Sequence, residues 1–346
     1  MVSTNQSRFR KITFFTIIAV YLLVLVGGIV RSLGAGMGCP DWPKCFGQIV
    51  PPLSVNELPL NYQETFLEMR IQKNMRLVST LSSFGLNEIA TKISNDPTIL
   101  KEDDFHVTKA WIEYLNRLLG VVIGFLIILT TLFSFSYFKQ KLIIPILAVS
   151  SLLLVIFQGW IGSLVVSTNL LPGFVSFHLF LALLLIALLL YIYYLAVDYG
   201  GSIEVDKSIF TILVISFALL IPQFFMGTSI RGEVDYLLQN QLGRSNVIDN
   251  LSFNFYIHRS FSLIFLAFFI YLFHYFKKHQ LLDNKAGKLV KLAAICVLFE
   301  IVGGAVMAYF SIPNFVQPIH LLASVILFGS IFYLVLLTKN RKFPIA

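Results

Sequence analysis

Charge is what this chain has least of. Only 13% of its 346 residues are Asp, Glu, Lys or Arg, against roughly 25% in a typical soluble domain. With 57% hydrophobic residues, that deficit excludes a water-soluble domain and places the chain in a membrane. Nothing reads as an RNA- or DNA-binding pattern. The net charge of +8 comes from cations at the ends of apolar segments, where they set topology rather than bind nucleic acid. A cleavable leader is not expected either. The first apolar run follows Arg8, Arg10 and Lys11, but it is too long for a signal core and lacks a small-residue cleavage site. Cysteine is scarce as well, with three in all. Cys39 and Cys45 have no metal-binding histidine beside them, so they do not make a zinc site. Phenylalanine is plentiful, at 33 residues, as suits surfaces that face lipid and fill a bundle.

Eight apolar segments are long enough to cross a bilayer. They cover about 12–33, 110–137, 142–167, 173–196, 208–231, 253–276, 286–310 and 315–338. Runs so long and so continuously apolar are helices and not barrel strands, because lipid leaves backbone groups no outside partner. The expected fold class is therefore an all-α membrane protein with eight transmembrane helices. Basic residues cluster on one side: Arg8, Arg10 and Lys11; Lys139 and Lys141; Lys277, Lys278, Lys285, Lys288 and Lys291; Lys339, Arg341 and Lys342. That side is expected to be cytoplasmic, with both termini inside and the chain in the inner membrane. The long loop 34–109 then lies outside. Within it, residues 62–93 carry an imperfect amphipathic pattern through Phe66, Met69, Met75, Val78, Leu81 and Leu86, which predicts one or two short helices over the outer face.

An internal repeat organises the polar residues. Asn116 and His178 stand 62 residues apart, as do His258 and His320, and the two pairs are offset by 142. The same offset relates Arg117 to Arg259, Gln158 to Glu300 and Gly162 to Gly304. Gly27 and Arg31 at the end of the first segment match Gly227 and Arg231 at the end of the fifth. These equivalences predict two four-helix bundles of like orientation, 1–200 (carrying the outer loop) and 201–346, with one intramembrane site in each.

Ionisable and polar side chains inside a membrane are functional candidates. His258 and His320 each lie about one and a half turns inside their segments, roughly 9 Å at 1.5 Å per residue. Facing imidazoles from two helices would satisfy a six-coordinate haem iron; a hydrogen-bonded histidine pair is the plainer alternative. In the first half His178 faces Asn116, a weak iron ligand, so an axial position there would be open or weakly filled. Arg31, Arg231 and Arg259 are placed to pair with haem propionates or to act as snorkelling anchors. Glu113, one turn before Asn116 on the same face, could move protons or form an i,i+4 ion pair with Arg117. Glu300 is expected to face other helices, and Gln158 to pack. Cys39 and Cys45, on an oxidising face, are close enough in sequence for a disulfide, either structural or reducible.

The run from Gly27 to Gly47, containing Arg31 and Cys39-Pro40-Asp41-Trp42-Pro43-Lys44-Cys45, resembles the first helix and outer loop of haem A synthases. Glu113-Tyr114-Leu115-Asn116-Arg117, Phe177-His178, Ile257-His258-Arg259 and Ile319-His320 resemble that family's four ligand-bearing helices in order and spacing, so the likeness covers nearly the whole chain. It implies a b-type haem on His258 and His320, edged by Arg31, Arg231 and Arg259. It also implies a substrate site for haem O at His178 and Asn116 with Arg117, and a catalytic Glu113. The implied reaction is oxidation of the C8 methyl of haem O to a formyl group by successive hydroxylations, supplying haem A to terminal oxidases. The family usually has histidine where this chain has Asn116, so two-histidine ligation of the substrate is not carried over. Loop 48–109 is unusually long and could cover the first site or contact a haem O-forming enzyme. The competing readings are a dihaem b-type electron carrier and a haem-handling assembly chaperone. The electron donor is not legible.

Overall fold

A computed structural model describes residues 4–41, 43–100, 104–197, 203–240 and 242–340. Trp42 of the loop motif, and Arg341 and Lys342 of the basic C-terminus, lie outside the described residues. Among the described residues ten α-helices follow one another: α1 (Thr4–Ser32), α2 (Tyr62–Ser83), α3 (Asn87–Ser94), α4 (Val107–Ser134), α5 (Ile143–Ser167), α6 (Pro172–Ala196), α7 (Lys207–Gln239), α8 (Phe253–Lys278), α9 (Lys285–Tyr309) and α10 (Val316–Leu337). All but α2 and α3 belong to the eight spans long and apolar enough to cross a membrane.

Local chemistry explains several boundaries. Pro172 opens α6, where its missing N–H costs nothing. Asn284 caps α9 by accepting from the Gly287 N–H at 2.8 Å, satisfying a donor that would otherwise be orphaned. Two helices outrun the apolar runs that foretold them. α1 starts at Thr4 and takes the basic residues into its first turns. α7 continues to Gln239, past residue 231. Its extension is held by packing rather than by lipid: Val234 and Leu237 sit with Val247, Leu251 and Ile312. One departure from an all-helical chain is a short parallel pairing of β1 (Ile203–Val205) with β2 (Thr338–Asn340).

Neighbour relations are the same in the two halves of the chain. α1 packs on α4 and α6, and α5 closes the ring between α4 and α6. Likewise α7 packs on α8 and α10, and α9 closes the ring between them. The halves meet where α10 lies against α1 and α6. Gly28 makes that contact possible, since a Cβ there would sit 3.0 Å from the Cβ of Pro318.

Outside the spans, the loop from 34 to 106 folds over the first ring. Phe66 packs with Phe46, Cys39, Cys45 and Ala110, and Leu77, Ile93 and Ile99 pack on Leu164, Leu171 and Phe174 at the α5–α6 turn. α2 is 22 residues long, more than the short helix anticipated, and its buried face is the expected one only in part: Phe66, Val78 and Leu81 pack as expected. Met69 and Met75 are exposed, whereas Arg70 and Asn74 are buried. Arg70 donates to the Ile99 carbonyl, and Asn74 to the Ser167 carbonyl at 2.8 Å. The surface receiving α2 includes the end of α5, whose last carbonyls lack helical donors, so donors are buried there in place of methionine.

Candidate functional site: two intramembrane centres and a clamped outer loop

The four positions singled out by the repeat occupy equivalent places. Each faces a glycine on the neighbouring helix. In the second ring a Cβ at Gly227 of α7 would be 3.3 Å from Cε1 of His258. One at Gly303 of α9 would be 3.3 Å from Nδ1 of His320, with Gly304 at 3.9 Å from its Cε1. In the first ring Gly162 of α5 stands 3.4 Å from Cε1 of His178 on the same measure, and Gly27 of α1 stands 3.9 Å from Oδ1 of Asn116. Side chains larger than hydrogen at these places would press on the imidazoles or fill their space.

The polar atoms at these places are largely unpartnered. Nδ1 of His178, His258 and His320 and Oδ1 of Asn116 are buried without a hydrogen bond. Buried polar atoms are normally paired, so these four orphans at positions matched in the sequence are candidates for bonding to an outside group. Among the described residues, no three His, Cys, Asp or Glu side chains converge as a metal cage. A metal held here therefore brings most of its own ligands, as iron in a porphyrin does. The histidine set and the glycine clefts fit a haem in the second ring; one histidine and one amide make a weaker set in the first.

The surrounding polar residues are arranged differently in the two rings. Gln158 of α5 donates to the His178 carbonyl at 3.0 Å, the packing role expected of it. Glu300 of α9, at the equivalent place, instead reaches the imidazole of His320, with Oε2 3.1 Å from Nε2. Gln223 of α7 donates to the His258 carbonyl at 3.0 Å. The repeat could not reveal Gln223, because the matching position in α1 is Leu23; an amide in the middle of an apolar span was the available signal.

The arginines do not behave alike. Arg31 and Arg231 converge on one carboxylate, Asp235, at 3.0 and 2.6 Å, and Arg231 also bonds Gln317. Asp235 belongs to the extension of α7 and was missed for that reason. The Nε atoms of both arginines remain buried and unpartnered. Arg259, expected at the haem edge, is exposed and lies over the rings of Phe255 and Tyr256. The residue after His258 is turned by about 100° on an α-helix, so it points away from the face His258 presents.

Glu113 and Arg117 form the expected i,i+4 ion pair, and their further bonds clamp the outer loop. Oε2 of Glu113 accepts from the Cys39 N–H at 2.8 Å. Arg117 donates to the carbonyls of Cys39 at 2.7 Å, Asp41 at 2.6 Å and Lys44 at 3.4 Å. Cys39 and Cys45 are joined as a disulfide, and both are fully buried. Cys296 is a buried free thiol on α9. A cavity of about 370 Å³ is elsewhere. It lies between α6, α7 and α10 and is lined by Phe180, Phe217, Phe224 and Phe328, whereas His178 faces α5.

These features define an eight-span all-α membrane protein with histidine, amide and carboxylate side chains buried among its spans. The pattern that characterises the COX15-CtaA cytochrome oxidase assembly proteins matches residues 10–84 and 97–332, and the chain belongs to that family. It is similar to proteins named haem A synthase: 26% identical to one from Pelagibacter ubique over 98% of this chain and 99% of that protein; 26% identical to one from Rickettsia prowazekii over 97% and 99%; and 24% identical to one from Flavobacterium psychrophilum over 91% and 93%.

Proposed function

We propose that this chain is a haem A synthase, converting haem O to haem A for cytochrome oxidase assembly by oxidising the C8 methyl to a formyl group. The observation that carries the reading is the set of orphaned ligand atoms on α4, α6, α8 and α10, each against a glycine of the next helix, in a chain of the COX15-CtaA family.

In this reading the chain is a duplicated bundle with a resident centre in residues 201–346 and a substrate centre in residues 1–200. His258 and His320 hold a b-type haem. When bound, such a haem supplies a reversible one-electron couple beside the substrate ring. His178 binds the substrate from α6, and Asn116 faces it from α4 with an amide too weak to fill an axial position firmly. Arg31 and Arg231 supply cationic charge at the outer rim for the carboxylates of the bound haems, in competition with Asp235. Arg117 positions the substrate centre through the loop it clamps. Glu113 is the acid–base group of the substrate side, and its present bonds to Arg117 and Cys39 hold its carboxylate above Asn116. The folded outer loop keeps water from that end of the first ring. Exposed apolar residues of that loop, Ile49, Leu53, Val55 and Leu60, offer a contact for the enzyme that makes haem O. Both termini face the cytoplasm and the spans cross the inner membrane, in line with the basic residues of that side.

A plain electron carrier would need two strong ligands in each ring, and Asn116 argues against it. The deciding experiment is extraction and mass analysis of haems from cells expressing this chain with a source of haem O. Haem A, or its hydroxylated precursor, upholds the proposal. Haem O accumulating unchanged beside a folded protein overturns it in favour of a carrier or chaperone.

A further inference from the structure

No histidine lines the cavity between α6, α7 and α10. We infer that this cavity is a binding slot for one acyl chain of a bilayer phospholipid, which enters sideways between α6 and α7. The inference does not rest on the assignment of the haem centres.

The shape of the cavity suits a chain. On α6 its lining runs from Ser176 to Tyr191, about 22 Å at 1.5 Å per residue. Spread over that length, a volume of about 370 Å³ leaves a section of roughly 17 Å², the width of a single hydrocarbon chain. At the ~30 Å³ that a water-sized group takes in a liquid, the slot holds about a dozen methylene groups.

The lining admits an apolar guest only. The Ser176 and Thr228 hydroxyls, at the outer end, are 2.9 Å apart, and each lies within bonding distance of a carbonyl of its own helix, Pro172 and Phe225. Tyr191, at the inner end, stacks on Tyr194. The wall between them is hydrocarbon. A buried water needs two to four polar partners, and an apolar cavity without them stays dry and takes apolar molecules. Within a bilayer the gain is in packing, since a void forfeits dispersion contacts that a chain restores.

The mouth faces lipid. At the outer end α6 and α7 close on each other: a Cβ at Gly232 would sit 3.1 Å from the Cβ of Pro172. Phe217 of α7 meets Phe328 and Phe332 of α10, with ring centres 5.1 and 5.5 Å apart, and α10 lies against α6. The side between α6 and α7 is edged by Phe180, Leu184 and Phe225, which are 36%, 42% and 47% exposed, whereas Leu183 and Phe328 on the inner wall are 4% and 5% exposed. Phe180 and Phe225 stack across this mouth at 6.0 Å. All these residues lie within the spans, so the mouth opens onto bilayer hydrocarbon. A phospholipid can lay a chain through it while its headgroup stays at the membrane surface. A chain tethered to a ring at His178 would have to come round from the opposite face of α6, because His178 faces Gly162 of α5.

The test uses the full-length protein in nanodiscs of phosphatidylcholine that carries a diazirine midway along one acyl chain. Irradiation, digestion and mass mapping locate the adducts. The expected adducts include Leu183 and Phe328, which lipid outside the mouth does not reach. In Ala187→Phe, which fills the slot, these should fall by about tenfold or more, as overpacking of that size predicts, while adducts on the exposed Phe125 of α4 persist. Adducts confined to exposed residues, or wall adducts unchanged in Ala187→Phe, overturn the inference. If added haem O, which bears a prenyl chain, removes the wall adducts and haem B, which lacks one, does not, the occupant is the chain of haem O and the assignment to lipid is overturned. Should Ala187→Phe fail to fold, Leu184→Trp at the exposed mouth decides in its place: loss of the wall adducts upholds the inference, and their persistence overturns it.

Discussion

Replacing Arg117 by alanine should open the outer loop and expose its disulfide. Cys39 and Cys45 are fully buried, so a reductant in solution reaches them only when the loop lifts off the bundle. Arg117 opposes that lifting with bonds to the Cys39, Asp41 and Lys44 carbonyls and to Glu113. Its loss also strands the Glu113 carboxylate, 3% exposed, with the backbone N–H groups of Cys39 and Gly38 as its remaining partners. Removing one partner of a buried ion pair costs about 3–5 kcal/mol. Because the loop can open without unfolding the bundle, about 3 kcal/mol at the low end of that range is the share to expect in local opening. At 1.4 kcal/mol per factor of ten, the open fraction rises roughly 100-fold. The assay is the rate at which dithiothreitol makes Cys39 and Cys45 available to a thiol-reactive mass tag, measured on purified protein with Cys296 replaced by alanine. A rate within about threefold of the unsubstituted Arg117 protein, in a variant that keeps its helical content, would refute the clamp; that is the change a surface salt bridge of under 1 kcal/mol would give.

Glu113→Gln separates two roles of the same carboxyl. It keeps an acceptor for the Cys39 N–H, so disulfide reduction should accelerate less than in Arg117→Ala. Haem A formation should fall by 100-fold or more if the group handles protons, and full activity with an intact loop would leave Glu113 an anchor only. Either His258→Ala or His320→Ala should abolish the low-spin b-haem spectrum of the purified protein, and a spectrum unchanged in either would remove that residue from the ligand set. Asn116→His should convert substrate-bound iron in the first ring to a six-coordinate low-spin form, seen by absorption or paramagnetic resonance, and slow turnover. An unaltered spectrum would mean that position 116 does not face the iron.

Much of this arrangement was legible from the residues. The spans were visible because lipid allows backbone groups no outside partner, which forces long apolar helices. The candidate positions were visible because Asn116, His178, His258 and His320 share one spacing and one offset in the sequence. Interactions outside that constraint were hidden. Asp235 lies where α7 leaves the apolar region, and hydropathy is silent on a helix that continues as an amphipathic rod. The docking face of α2 was read only in part: Phe66, Val78 and Leu81 pack as expected, but Arg70 and Asn74 are buried by carbonyls they satisfy, whereas periodicity assumes that burial follows apolarity. Of the two readings of Arg259, its exposed place over Phe255 and Tyr256 fits the anchor, because neighbours in sequence on a helix do not share a face. The different uses of Gln158 and Glu300 could be seen only once the partner atoms were placed.

Gly27 and Gly28 are consecutive residues of α1, and they touch different halves of the protein. The first stands against Asn116, and the second against Pro318, two residues before His320. At that level the partition between the halves is a single backbone segment without a side chain to cushion it. A filled pocket that pushes α1 by a few tenths of an ångström is felt directly by the helix bearing His320. Thermodynamic linkage makes such communication reciprocal. If loading one centre changes affinity at the other, the second must change the first by the same factor. If loading of one half were to shift α1, the glycine dipeptide is where the other half would meet that shift.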